Sequence, residues 1–211
     1  METSRGQPPD DAGSQEPRQR GELIVALARV RWAAGAPQEA REAFLEAANV
    51  ARRSGDAEVL AQAALGFAGR SDVTPGVNRE AVGLLEEARA AMPERDSALR
   101  AELLARLGTE LYYDENASRS DVLTRDALAM AERLGDRAMV AYTSTARHFS
   151  RQRPEVSPQE RIALADRAIS LMGGAPASDV LVLGFQERLI DLFESGDGDA
   201  FDDTFDSLKK P

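Results

Sequence analysis

Small residues recur along this chain at an interval that few folds can satisfy. Ala47, Ala88, Ala127, Ala168 and Ser207 are separated by 41, 39, 41 and 39 residues. Unrelated helices do not keep such a spacing, so one unit of about 40 residues is repeated. The stretch Pro37 to Asp56 shows what the unit contains. Its Ala40-x3-Phe44-x2-Ala47 places two small residues and one large residue on one helix face. The alanines let a neighbouring helix come close, and the phenylalanine fills the space between them. A helix of this kind repeated along a chain predicts stacked hairpins, each buried by its neighbours.

The helix boundaries are written in glycine, proline and short polar residues. The first helix is expected from Arg20 to Ala34, with Leu23, Ile24, Leu27 and Val30 at helical spacing. Gly35 ends it, and Pro37 opens the next helix, where a missing N–H is harmless. Gly55 closes that helix and Asp56 caps the one after it. Residues 57–69 then pair with 79–92 across an irregular stretch containing Pro75-Gly76. Residues 97–113 pair with 119–134, 137–151 with 158–172, and 179–194 with 199–209. Ser157-Pro158-x-Glu160 marks one start with a cap, a first-turn proline and a capping-box glutamate. Residues 1–19 lack apolar periodicity and are expected to form a flexible leader; 20–209 are expected to form a single repeat domain. In the last helix, Phe201, Phe205 and Leu208 share a face expected to bury against the preceding helix. The acidic remainder of that helix would cap the stack in water, which predicts a monomer.

A two-helix repeat of this period fits either HEAT-like units or a lengthened tetratricopeptide (TPR) unit. The internal residues favour the second. Ala40-x3-Phe44-x2-Ala47 and Ala81-x3-Leu85-x2-Ala88-x4-Pro93 resemble the second TPR helix, and Leu107-Gly108-x2-Leu111 resembles the first. Trp32 departs from the pattern, lying nearer its helix end than the family tryptophan. The resemblance implies an all-α, TPR-like α-solenoid of about five hairpins, a right-handed stack with one concave groove. Segments such as LAQAALGFAGR (60–70), LLEEARAAMP (84–93) and AERLGDRAMVAYTSTARH (131–148) also resemble the repeat region of large actinobacterial LuxR-type, ATP-binding transcriptional regulators. That resemblance implies a sensor or partner-binding arm, with further hairpins beyond Pro211 in relatives.

Charge and composition remove several classes of function. A net charge of −10 repels a phosphate backbone, so direct nucleic-acid binding by this segment is not expected. No cysteine and one histidine leave no thiolate or histidine-rich metal centre. No apolar run reaches membrane-spanning length and no signal sequence is seen, so a cytoplasmic protein is expected. Phosphate-binding and nucleophile-elbow motifs are missing, and Asp197-Gly198-Asp199 lacks the glutamate of a calcium loop, with Leu208 in its place. Neither an enzyme nor a cofactor is expected. His148 reads as a surface or inner-groove helix residue.

What remains is a recognition surface. In TPR-like stacks the first helix of each hairpin lines the concave side, which singles out Arg29, Trp32, Phe67, Arg70, Tyr112, Tyr113, Arg147, Arg151 and Gln186. Arginine and aromatic side chains are the types that anchor interfaces. Trp32 and Phe193 can equally seal the ends of their hairpins. Arg147, Arg151 and Arg153 can hold an acidic peptide or an anion, or they can pair with nearby carboxylates. The expected partner is a protein or peptide, or alternatively a small-molecule effector in the groove.

Overall fold

The computed structural model describes residues 12–69, 76–115, 117–173 and 178–208. Among them are ten α-helices: α1 (Ala12–Ala33), α2 (Pro37–Ser54), α3 (Ala57–Ala68), α4 (Arg79–Ala91) and α5 (Ala98–Glu110), followed by α6 (Ala117–Leu134), α7 (Arg137–Ser150), α8 (Pro158–Met172), α9 (Asp179–Ser195) and α10 (Gly198–Leu208). The fold is all-α, built from sequential helix pairs. The chain divides into two compact units, Met1–Gly69 and Arg70–Pro211.

In the first unit α1, α2 and α3 pack on one another. Asp56 starts α3 by accepting the backbone N–H groups of Glu58 and Val59, and Gly55 takes the left-handed conformation that ends α2. Two glycines set how closely the helices approach. A Cβ on Gly66 would lie 2.1 Å from the Phe44 ring, and one on Gly21 would lie 2.7 Å from Val59. Phe44 is thus enclosed between α2 and α3, and burying a ring of that size is worth about 1.5–3 kcal/mol. The first helix starts at Ala12, not Arg20, so part of the expected leader is helical. Arg18 holds that early turn down, reaching Glu58 at 3.0 Å and Asp56 at 3.7 Å.

In the second unit α5 pairs with α6, and α7 packs on both; α8 pairs with α7, α9 packs on both of these, and α10 packs on α9. Asn78, Ser97, Asp136, Ser157 and Ser178 cap α4, α5, α7, α8 and α9 with their side chains. The register read from the sequence holds at four of its five positions: Ala47, Ala88, Ala127 and Ala168 are all fully buried. Ser207 breaks it, because it is exposed and bonds back to the Asp203 carbonyl. Three residues earlier Thr204 is buried instead. The same short final helix overturns the expectation for its apolar face. Phe201 is half-buried, but Phe205 and Leu208 are exposed, because α10 turns Thr204 toward α9.

Across the five copies the template positions are Ala40/Phe44/Ala47, Ala81/Leu85/Ala88, Ser120/Thr124/Ala127, Arg161/Ala165/Ala168 and Ala200/Thr204/Ser207. The central position is buried in every copy. Its side chain is a large hydrophobe in the first two copies and small or hydroxylated in the last three. The space given up is taken by polar side chains from adjacent helices, and these define the site.

Candidate functional site

Arg161 occupies a template position that is alanine in α2 and α4, one turn into α8. It is buried, and its Nε donates to Asp191 Oδ1 at 2.8 Å while Nη2 donates to Glu194. Asp191 lies one turn after Glu187, so both carboxylates leave α9 on the face toward α7 and α8. His148, near the end of α7, is also fully buried. Its Nε2 donates to Asp191 Oδ2 at 2.7 Å, and its Nδ1 stands 3.4 Å from Glu187 Oε1. The sequence reading of His148 as a surface or groove residue is therefore overturned. Its carboxylate partners lie on a helix whose acids look solvated in sequence.

Burial pulls the His148 pKa down, but the Glu187 and Asp191 carboxylates outweigh it, and the value is raised. Burial pushes Glu187 up to about 7, against the opposing pull of His148. A histidine held by a carboxylate is half of the arrangement used to activate nucleophiles. The other half is missing here, since Nδ1 has no hydrogen-bond partner among the described residues and faces Glu187. The cluster is an ionic fastening of α9 onto α7 and α8.

A second polar group joins α6, α7 and α8. Arg147 donates to the Asp121 carbonyl and to its carboxylate, both at 2.7 Å. Arg151 reaches the same carboxylate at 3.3 Å and Glu160 at 2.9 Å. Burial pushes the Asp121 pKa up, and the two guanidiniums more than reverse it, leaving it lowered. Thr124 and Ser150 share a buried hydroxyl–hydroxyl bond of 2.7 Å beside them. Arg147 and Arg151 thus meet carboxylates of their own chain, whereas Arg153 donates to the Tyr112 carbonyl at 3.1 Å.

The remaining candidates fall in separate places. In the first unit Arg29 is exposed on α1, Trp32 is half-buried against Gly69, and Phe67 is buried under the Arg41 guanidinium at 4.1 Å. Arg70 lies outside the described residues. In the second unit Tyr112 packs edge-on against Tyr113 at 4.8 Å and against Phe149 at 4.7 Å. Arg153 covers the Tyr112 ring, and the Tyr112 hydroxyl donates to the Gln152 carbonyl. Tyr113 is half exposed, Gln186 is exposed, and Phe193 projects from α9 with 79% exposure. Phe193 therefore does not seal its turn. Sequence reasoning missed Arg161, Glu187 and Asp191. The available signal was the arginine standing where Ala40 and Ala81 stand in earlier copies.

No family model and no curated protein matches this chain. Among solved structures it is similar to the crystal structure of nearly identical TPR-like repeats from a Podosopora anserina protein named for kinesin light chain. The two superpose with a TM-score of 0.57 at 16% identity, over 90% of this chain and 93% of the other. The fold is TPR-like. In the α5–α6 pair the two helices come close at Gly108, where a Cβ would lie 2.6 Å from Thr124 and 3.2 Å from the Ser120 carbonyl. No described helix is long and apolar enough to cross a membrane.

Proposed function

We propose that this chain is a non-catalytic, cytoplasmic recognition module that binds a protein or peptide partner, with residues 20–209 acting as one repeat domain. The observation that carries this reading is the aromatic group at the end of α5. Tyr113 is half exposed, its ring stands against Tyr112, and Arg153 stacks on Tyr112 from above. Rigid aromatics backed by arginine are the side chains from which interface anchors are made. Arg151 and Gln186 are further proposed contacts in the second unit, and Arg29 and Trp32 those in the first; Phe67 is buried and Arg147 is held by Asp121, so neither is offered to a partner. A place in a transcriptional regulator, as its sensor or partner arm, rests on the sequence resemblance alone.

The test is selection of binding peptides from a displayed library on the full chain. Tyr113→Ala should weaken the selected peptides about tenfold or more, as loss of an interface anchor does. Rising salt should weaken them further. Peptides indifferent to Tyr113→Ala would refute the site. A small compound that raises the melting temperature without a salt effect would point to an effector instead.

A further inference from the structure

Among the described residues each unit exposes an apolar stripe on a terminal helix or helix pair, and the packing pattern within the chain says what such a face receives. In the first unit the exposed face is on α1, where Leu23, Leu27 and Val30 lie along one side of the helix. It is opposite the side on which Gly21 meets Val59 of α3. In the second unit the exposed face is on the last pair: Val182, Ile190 and Phe193 project from α9, with Phe205 and Leu208 on α10. A first helix in this fold is seated on both helices of the pair before it. α3 sits on α1 and α2, α7 on α5 and α6, and α9 on α7 and α8. The α9–α10 pair offers the same kind of seat, and α1 has the unused side of a first helix.

The charges are complementary as well. Of the nine carboxylates in Asp179–Leu208, seven are exposed, Glu187 and Asp191 being buried with His148 and Arg161. α1 has four arginines against Glu16 and Glu22, of which Arg18, Arg20 and Arg31 lie within 3.8 Å of carboxylates of their own chain and Arg29 is exposed. We infer that α1 of a second copy docks on the α9–α10 pair, head to tail. The contact repeats the seating of α9 on α7 and α8, with opposite charges drawing the two faces together. It is heterologous, because each copy gives a different face, so it propagates into chains or rings and does not stop at a symmetric dimer. This takes the place of the monomer expected from an acidic final helix that caps the stack in water.

The experiment is light scattering on the full chain over a concentration series, with Leu27→Asp and Phe193→Asp as blocks on the two faces. Both side chains are exposed, so each variant should retain its helix content by circular dichroism. The wild-type mass should rise with concentration above the single-chain 22.8 kDa, and salt should lower it. Each variant alone should stay at the single-chain mass. An equal mixture of the two should form dimers and stop there, since each variant keeps the face that the other has lost. Leu23→Glu supplies the same block if Leu27→Asp loses helix. A wild type that stays at the single-chain mass overturns the inference. So does a variant that still dimerises alone, or a mixture that does not associate.

Discussion

The contact of α2 with α3 and the contact of α8 with α9 fill the same kind of seat by opposite means. In the first, Phe44 lies in the gap left by Gly66, among buried alanines. In the second, the equivalent of Phe44 is Ala165, the equivalent of Ala40 is Arg161, and the space holds His148, Glu187 and Asp191. Volume fills one and charge fills the other. Apolar packing accepts neighbours of about the right size, whereas a buried ion accepts only a neighbour carrying the opposite charge in the right place. One repeat can therefore keep its geometry while its contacts change from forgiving to exacting.

The largest expected effect breaks the charged seat. Asp191→Ala removes the carboxylate shared by His148 and Arg161 and leaves both buried without it, which should cost about 3–5 kcal/mol in urea unfolding. Replacing His148, Arg161, Glu187 and Asp191 together with apolar residues of similar volume should cost far less, because no uncompensated buried ion remains. Equal losses in the single and quadruple variants would show that shape, not charge, holds this seat.

Next in size is an attack on the apolar seat. Gly66→Ala would put a methyl into the Phe44 ring and should cost about 1–3 kcal/mol. Phe44→Leu made in the same chain should recover part of that loss, since it vacates the ring edge that the methyl meets. The same thermal scans would show no recovery if the glycine were needed for some other reason.

The smallest effect is also the one that separates the two seats most cleanly. Glu187 keeps its proton up to about pH 7 in the folded chain and releases it near 4.5 when unfolded, so its contribution falls as pH rises between those values. His148 is raised too, so its contribution is complete below its unfolded value near 6.5 and is lost as pH rises through the higher folded value. Both have the same sign: going from pH 8 to pH 5 should stabilise the second unit, on the order of 1 kcal/mol. Glu187→Gln should flatten the slope, and Phe44→Leu should leave it unchanged. A slope that survives Glu187→Gln together with His148→Gln would have to originate elsewhere.

The fold was legible because its signals are local or periodic. Ala47, Ala88, Ala127 and Ala168 announce their burial by spacing alone, and Gly55, Asp56, Ser157 and Pro158 mark boundaries within one turn. The charged seat was not legible in that way. Asp191 is 43 residues from His148, and Glu187 and Asp191 at i and i+4 look like any solvated helix face until α9 is placed. The start of α1 was missed because the contacts of Arg18 with Asp56 and Glu58 are long-range. On α10, Phe205 and Leu208 have the spacing of a buried stripe, but an eleven-residue helix anchored through Thr204 covers only part of it.

The buried polar pairs of the second unit also bear on the order of its parts. Thr124 on α6 requires a hydroxyl at Ser150 on α7, and His148 on α7 and Arg161 on α8 both require Asp191 on α9. A hairpin grafted in place of α9–α10 without carboxylates at the turns of Glu187 and Asp191 would have a suitable shape but no partner for His148 and Arg161. Shuffled or duplicated arrays of these hairpins would then strand a histidine and an arginine in the interior. Repeats that look interchangeable by length and alanine spacing are thus assigned to fixed places, and the sequence of hairpins in this unit can be extended at its outer face but not permuted.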